Sequence, residues 1–147
     1  MPQLSLQELV AQTKPGVVYL KALQKSGTGF PITDTGVIAT NAHLARGEGS
    51  LLALLPGGVQ FDAKVGYVDE DLDIALLKME ASEFPHLTLA DPSTVQQGEA
   101  VFAIGNPDDA MLYSMTSGIV SEPLERVRTK LFSDAHRKLI GSTTLSP

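Results

Sequence analysis

Short apolar runs of four to seven residues recur along this 147-residue chain, each closed off by glycine, proline or a polar turn. That spacing limits the fold more than any other feature, because runs this short suit strands and are too brief for long amphipathic helices. The first is Val17-Val18-Tyr19-Leu20-Lys21-Ala22-Leu23, and others follow at 29–32, 36–40, 50–55, 61–67, 74–79, 100–104, 114–120 and 127–132. Pro56-Gly57-Gly58 lies between two of them and reads as a hairpin turn. Ser5 to Thr13 is the exception. Ser5 is followed three residues later by Glu8, with Leu6, Leu9 and Val10 at helical spacing, which is the capping-box signature of a short helix. Pro15-Gly16 then stops it. The pattern predicts an all-β sandwich or barrel with one short N-terminal helix.

Composition narrows the chemistry. Hydrophobic residues make up 43% and charged residues 19%, the balance of a folded globular chain. The net charge of −6 argues against nucleic acid as a partner, since phosphate binding needs cationic surface. The charge is uneven: residues 1–121 hold six basic and fourteen acidic side chains, residues 122–147 five basic and three acidic. The basic tail of Arg126, Arg128, Lys130, Arg137 and Lys138 reads as a solvated loop or edge. No apolar run approaches membrane-spanning length, and no secretory signal pattern opens the sequence. The strands are interrupted at residues 83–98, by Pro85, Pro92 and a polar stretch, which makes this the expected domain boundary.

Without cysteine there can be no disulfide, zinc-thiolate or thiol nucleophile. The three histidines, at 43, 86 and 136, form no pair with metal-ligand spacing, and phosphate-loop and dinucleotide motifs are absent. No cofactor or metal is therefore expected. His43 directly follows the apolar run Gly36-Val37-Ile38-Ala39-Thr40, a placement expected at a strand end facing a cleft. Asp73 leads straight into the apolar run Ile74-Ala75-Leu76-Leu77. A carboxylate that near the interior needs a partner, because burying it alone costs about several kcal/mol. An imidazole N–H would serve, and the other ring nitrogen would then be a general base near neutral pH. Taken singly, His43 could be a structural or surface histidine, and Asp73 one of the solvated acids that follow Asp69.

Gly27-Thr28-Gly29-Phe30, Gly36 through Thr40-Asn41-Ala42-His43, and Asp69-Glu70-Asp71-Leu72-Asp73-Ile74-Ala75-Leu76-Leu77-Lys78 form an ordered set of motifs. Gly98 to Gly105-Asn106-Pro107 and Thr116-Ser117-Gly118-Ile119-Val120 complete it in the same order. Together they resemble the run of motifs in HtrA/DegP-type trypsin-like serine proteases. The resemblance implies a trypsin-like double β-barrel, with the N-terminal helix and first barrel in residues 1–90 and an incomplete second barrel in 91–147. It implies His43 as general base and Asp73 as the acid that orients it. The activity implied is a serine endopeptidase cleaving unfolded or partly unfolded polypeptides, bound as an added strand beside the second barrel. By analogy the resemblance also implies a periplasmic or extracellular location, and either a homo-oligomer, a trimer in the family's manner, or a complementing C-terminal segment. The short loop Gln24-Lys25-Ser26 suggests that a longer regulatory insertion is missing.

The family's nucleophile lies in a Gly-Asn-Ser-Gly-Gly segment, usually preceded by a run similar to Leu145-Ser146-Pro147. The sequence is therefore expected to stop just short of that serine, carrying two triad members, and to be inactive alone. Ser117, Ser133, Ser142 and Ser146 are poor replacements. Ser146 precedes Pro147, which lacks the N–H that an oxyanion hole would use, and Ser117 matches a structural strand position. A different class of reading stays open, that of a non-catalytic β-barrel binding or assembly module. An open half-barrel would leave strand edges for complementation by another chain.

Overall fold

The computed structural model describes residues 5–80, 83–105 and 113–121. The chain starts in helix α1 (Leu6–Thr13), capped as its sequence predicts. Glu8 N–H donates to Ser5 Oγ at 3.2 Å, and Ser5 N–H donates to Glu8 Oε1 at 3.2 Å. A single 3-10 turn, Lys14–Gly16, ends the helix and feeds the first strand.

Six strands follow: β1 (Val18–Lys21), β2 (Ser26–Pro31), β3 (Val37–Thr40), β4 (Ser50–Leu54), β5 (Gln60–Asp69) and β6 (Ile74–Lys78). All neighbours pair antiparallel, and they close into a barrel in the order β1-β2-β3-β6-β5-β4. Closure comes from β1 against β4, with Tyr19 opposite Leu54 and Leu20 opposite Ala53. It leaves no free edge in this barrel.

Strand alternation sends one set of side chains inward. Leu20, Ile38, Leu51 and Leu77 fill the interior opposite the small Ala53, Ala63 and Ala75, all fully or almost fully buried. Gly29 is required by this packing. A Cβ there would lie 2.6 Å from Leu20 Cδ1 and 2.8 Å from Ile38 Cγ2, closer than carbon atoms approach. β5 is the longest strand, and its register slips between Val65 and Tyr67, a bulge centred on Gly66 that lets it bend around the barrel. The Pro56-Gly57-Gly58 turn joins β4 to β5 as expected, with both glycines at positive φ.

The strand positions expected from sequence agree with the structure to within a few residues. The first run is shorter than its apolar length suggests, since Ala22 to Lys25 turns back, with Ala22 N–H donating to Lys25 O at 2.8 Å. Part of the 83–98 segment packs on the first barrel. Phe84 is buried, its N–H donates to Asp34 O at 2.9 Å, and its ring meets Phe61 edge-on.

Beyond that segment, β7 (Ala100–Gly105) and β8 (Ser114–Ile119) form a two-stranded antiparallel sheet. It is anchored to the barrel through Tyr113, whose hydroxyl donates to Val17 O at 3.0 Å and whose ring lies under Lys14 Nζ. The expected strand at 127–132, the basic tail, His136 and Ser133, Ser142 and Ser146 lie outside the described residues.

Candidate active site

β3 and the β5–β6 connection end side by side, because β3 and β6 are paired with Thr40 opposite Ala75. The residue just past each end is therefore brought to the same corner of the barrel. On one side the chain passes from Thr40 through Asn41 into a single helical turn, α2 (Ala42–Ala45), which carries His43. His43 thus sits in a helical turn and not at the strand end that its sequence context suggests. Leu44 faces inward from that turn onto Gly27, where a Cβ would come within 2.9 Å of Leu44 Cδ2.

On the other side, Asp69 Oδ1 accepts the N–H groups of Asp71 and Leu72 at 3.0 and 3.1 Å, folding the connection into a tight turn. That turn delivers Asp73 in the left-handed region, at φ 56°. Aspartate tolerates this conformation better than most residues, and strain of about 1–3 kcal/mol persists only where surroundings hold it. Here they do. Asn41 Nδ2 donates to Asp73 O at 3.3 Å, and the Asp73 carboxylate accepts the His43 backbone N–H at 2.9 Å. Asn41 occupies the N-cap of α2 without capping it, so the carboxylate of Asp73, from the β5–β6 connection, takes a terminal N–H of the turn.

The same carboxylate meets the His43 ring. Nδ1 lies 2.8 Å from Asp73 Oδ2 and 3.1 Å from Oδ1. The Asp73 side chain is 12% exposed, whereas that of His43 is 38% exposed. An Nδ1–H that donates to a buried carboxylate leaves Nε2 as the nitrogen with a free lone pair. Both residues singled out from sequence are thus in contact. Thr40 and Asn41 form the support around them: Thr40 Oγ1 donates to Thr28 O at 2.8 Å, which ties β3 to β2 beneath the site.

Charges around the pair were not evident in the sequence. Arg46, at the C-cap of α2, makes a two-pronged contact with Glu70, with Nε donating to Oε1 at 3.2 Å and Nη2 to Oε2 at 2.6 Å. The guanidinium holds the Glu70 carboxyl below its ordinary range, chiefly by hydrogen bonding, and the carboxylate raises Arg46 in return. Lys25, from the β1–β2 turn, donates through Nζ to His43 O at 3.0 Å and to Arg46 O at 2.9 Å. Neither contact has a local signal in the sequence, because the partners are 24 residues apart in the first and 18 and 21 in the second. Among the described residues no group of histidine and carboxylate side chains could hold a metal ion.

A sequence model of the trypsin-like peptidase domain matches residues 27–143. The chain belongs to this family. Among relatives of this trypsin-like peptidase domain is a serine protease HTRA1A from Danio rerio, 35% identical over 126 residues. That alignment covers 78% of this chain and 26% of the relative. A mitochondrial serine protease HTRA2 from Bos taurus is 36% identical over 126 residues, covering 78% of this chain and 27% of the relative. A probable periplasmic serine endoprotease, DegP-like, from Halomonas elongata is 40% identical over 95 residues, 65% of this chain and 20% of the relative. The chain therefore spans about a quarter of the length of the curated relatives it matches. The crystal structure of the serine endoprotease from Yersinia pestis shares the fold at a TM-score of 0.73 and 28% identity. That match covers 83% of this chain and 46% of the other. The resemblance to HtrA and DegP proteases and the all-β, trypsin-like fold class both hold.

Proposed function

We propose that this peptidase domain supplies the general base, His43, and its orienting acid, Asp73, for serine endopeptidase chemistry on unfolded or partly unfolded polypeptides. The observation that carries this reading is the 2.8 Å contact between His43 Nδ1 and the buried Asp73 carboxylate. Nε2 would accept the proton of a serine hydroxyl as Oγ bonds to the scissile carbonyl carbon. The same proton would pass to the leaving amine as the C–N bond breaks, and water would repeat the cycle to release the acyl group. The serine itself is not assigned to a residue of this chain. The two-unit division at residue 90 belongs to this reading, with substrate lying extended beside the β7–β8 sheet. Among the described residues β8 pairs with β7 alone, and Ser114 to Ser117 are exposed on both of its faces. A periplasmic or extracellular location accords with the Halomonas relative, whose description is periplasmic.

The test uses the protein expressed from its whole gene, assayed on unfolded casein and on a folded control, with a fluorophosphonate probe for the nucleophile. Turnover of unfolded substrate that falls by about 10⁴-fold or more in His43→Ala, on the scale of triad losses, supports the assignment. Unchanged turnover and labelling in that variant would overturn it.

A further inference from the structure

His43 and Asp73 lie on different elements, so their separation depends on how firmly α2 is held. A four-residue turn holds itself poorly, since most of its carbonyls lack an intrahelical partner. Lys25 takes two of them. Its ammonium donates to the carbonyl of His43 at 3.0 Å and to that of Arg46 at 2.9 Å, spanning the turn from its second residue to its C-cap. A cation there also suits the negative end of a helical turn. Among the described residues no carboxylate is within ion-pair distance of Lys25, so the carbonyls of α2 are its partners. The lysine starts from a tight turn closed by the Ala22–Lys25 hydrogen bond, and Ser26 next to it is paired in β2 opposite Lys21 of β1. Its backbone is thus fixed to the barrel, and its side chain transmits that rigidity to α2.

We propose that Lys25 is a positioning residue that keeps the His43 ring in register with the Asp73 carboxylate. The proposal rests on the catalytic reading of His43 and Asp73 given above, but its consequence for ring geometry does not. The Arg46–Glu70 contact is a weaker contender for the same role. Both its side chains are more than half exposed, and solvent screens such pairs.

Two measurements test the role. In the 15N-labelled chain, the low-field proton resonance of His43 Nδ1–H reports its bond to Asp73. Lys25→Met, which keeps the carbon stem, is expected to broaden or lose it, while Lys25→Arg retains it and the melting midpoints stay within about 3 °C. In the whole-gene protein, Lys25→Met is expected to lower kcat about tenfold with KM held within about twofold, and Lys25→Arg to restore most of the loss. A Lys25→Met protein with an unchanged resonance and unchanged kcat would overturn the proposal. So would a parallel loss of stability, kcat and KM that arginine fails to restore, since that describes a purely structural lysine. If the methionine variant does not fold, Lys25→Gln is judged by the same criteria. Failure of the protease reading shows separately, as activity that survives His43→Ala, and leaves the resonance to decide the role of Lys25.

Discussion

At Asp73, the side chain and the backbone make different demands. The carboxylate has to accept from both the backbone N–H and the ring Nδ1 of His43, while the backbone has to adopt φ 56°. Asp73→Asn separates the two. Asparagine is at ease in the left-handed region and its carbonyl oxygen can still accept one N–H, so stability by urea unfolding should change by less than about 1 kcal/mol. Its amide donors would face Nδ1, favouring the tautomer with the proton on Nε2, where the base proposed above needs a lone pair. A fall in kcat of about 10⁴-fold is expected, read in the whole-gene protein by steady-state hydrolysis of unfolded casein. Gly29 illustrates packing alone. Gly29→Ala would press a methyl onto Leu20 and Ile38 in the barrel interior, and a destabilisation of about 1–3 kcal/mol in chemical denaturation is expected.

Among the elements, α2 and the β5–β6 turn are joined twice: at the base by Asp73 and His43, and at the rim by Arg46 and Glu70. The rim contact has a pH signature. The folded-state pKa of Glu70 lies below its ordinary value of 4.5, so the contribution of this contact is fully present above that value. It fades as pH falls through the lower folded-state pKa. A 13C titration of the Glu70 carboxyl should show a midpoint below 4.5 in the parent, and a return toward 4.5 in Arg46→Gln. A midpoint that does not respond to the loss of Arg46 would show that the contact does not persist in solution.

On the scale of the whole molecule, the barrel closes on itself and the β7–β8 sheet meets it through side-chain contacts. Tyr113 is the clearest of these, with its hydroxyl on Val17 O and its ring beneath Lys14. Partial burial raises the pKa of this phenol above its ordinary value of 10.0. A raised folded-state value favours the protonated form, so the contribution is complete below pH 10 and declines as pH rises through the folded-state pKa. Tyr113→Phe removes the donor to Val17 O, and a loss of about 0.5–1.5 kcal/mol in thermal or urea unfolding at neutral pH is expected. The same variant should lose part of the parent's decline in stability above pH 10.

The strands, the capped helix and the turns were legible in the sequence because each depends on near neighbours. Alternating apolar residues select a pleated strand, Ser5 and Glu8 cap a helix three residues apart, and Gly57-Gly58 supplies positive φ where a hairpin needs it. The ordered motifs likewise pointed to His43 and Asp73. Tertiary structure decided the rest. Barrel closure pairs β1 with β4, and only then does Lys25, eighteen residues before His43, reach the carbonyl of the turn that carries it. The pairing of β3 with β6 sets Asp73 against the His43 ring, thirty residues away, in a backbone conformation that no sequence periodicity encodes. A lone lysine in a turn and a residue with positive φ leave no repeating pattern, since their roles arise from contacts between segments that folding alone brings together.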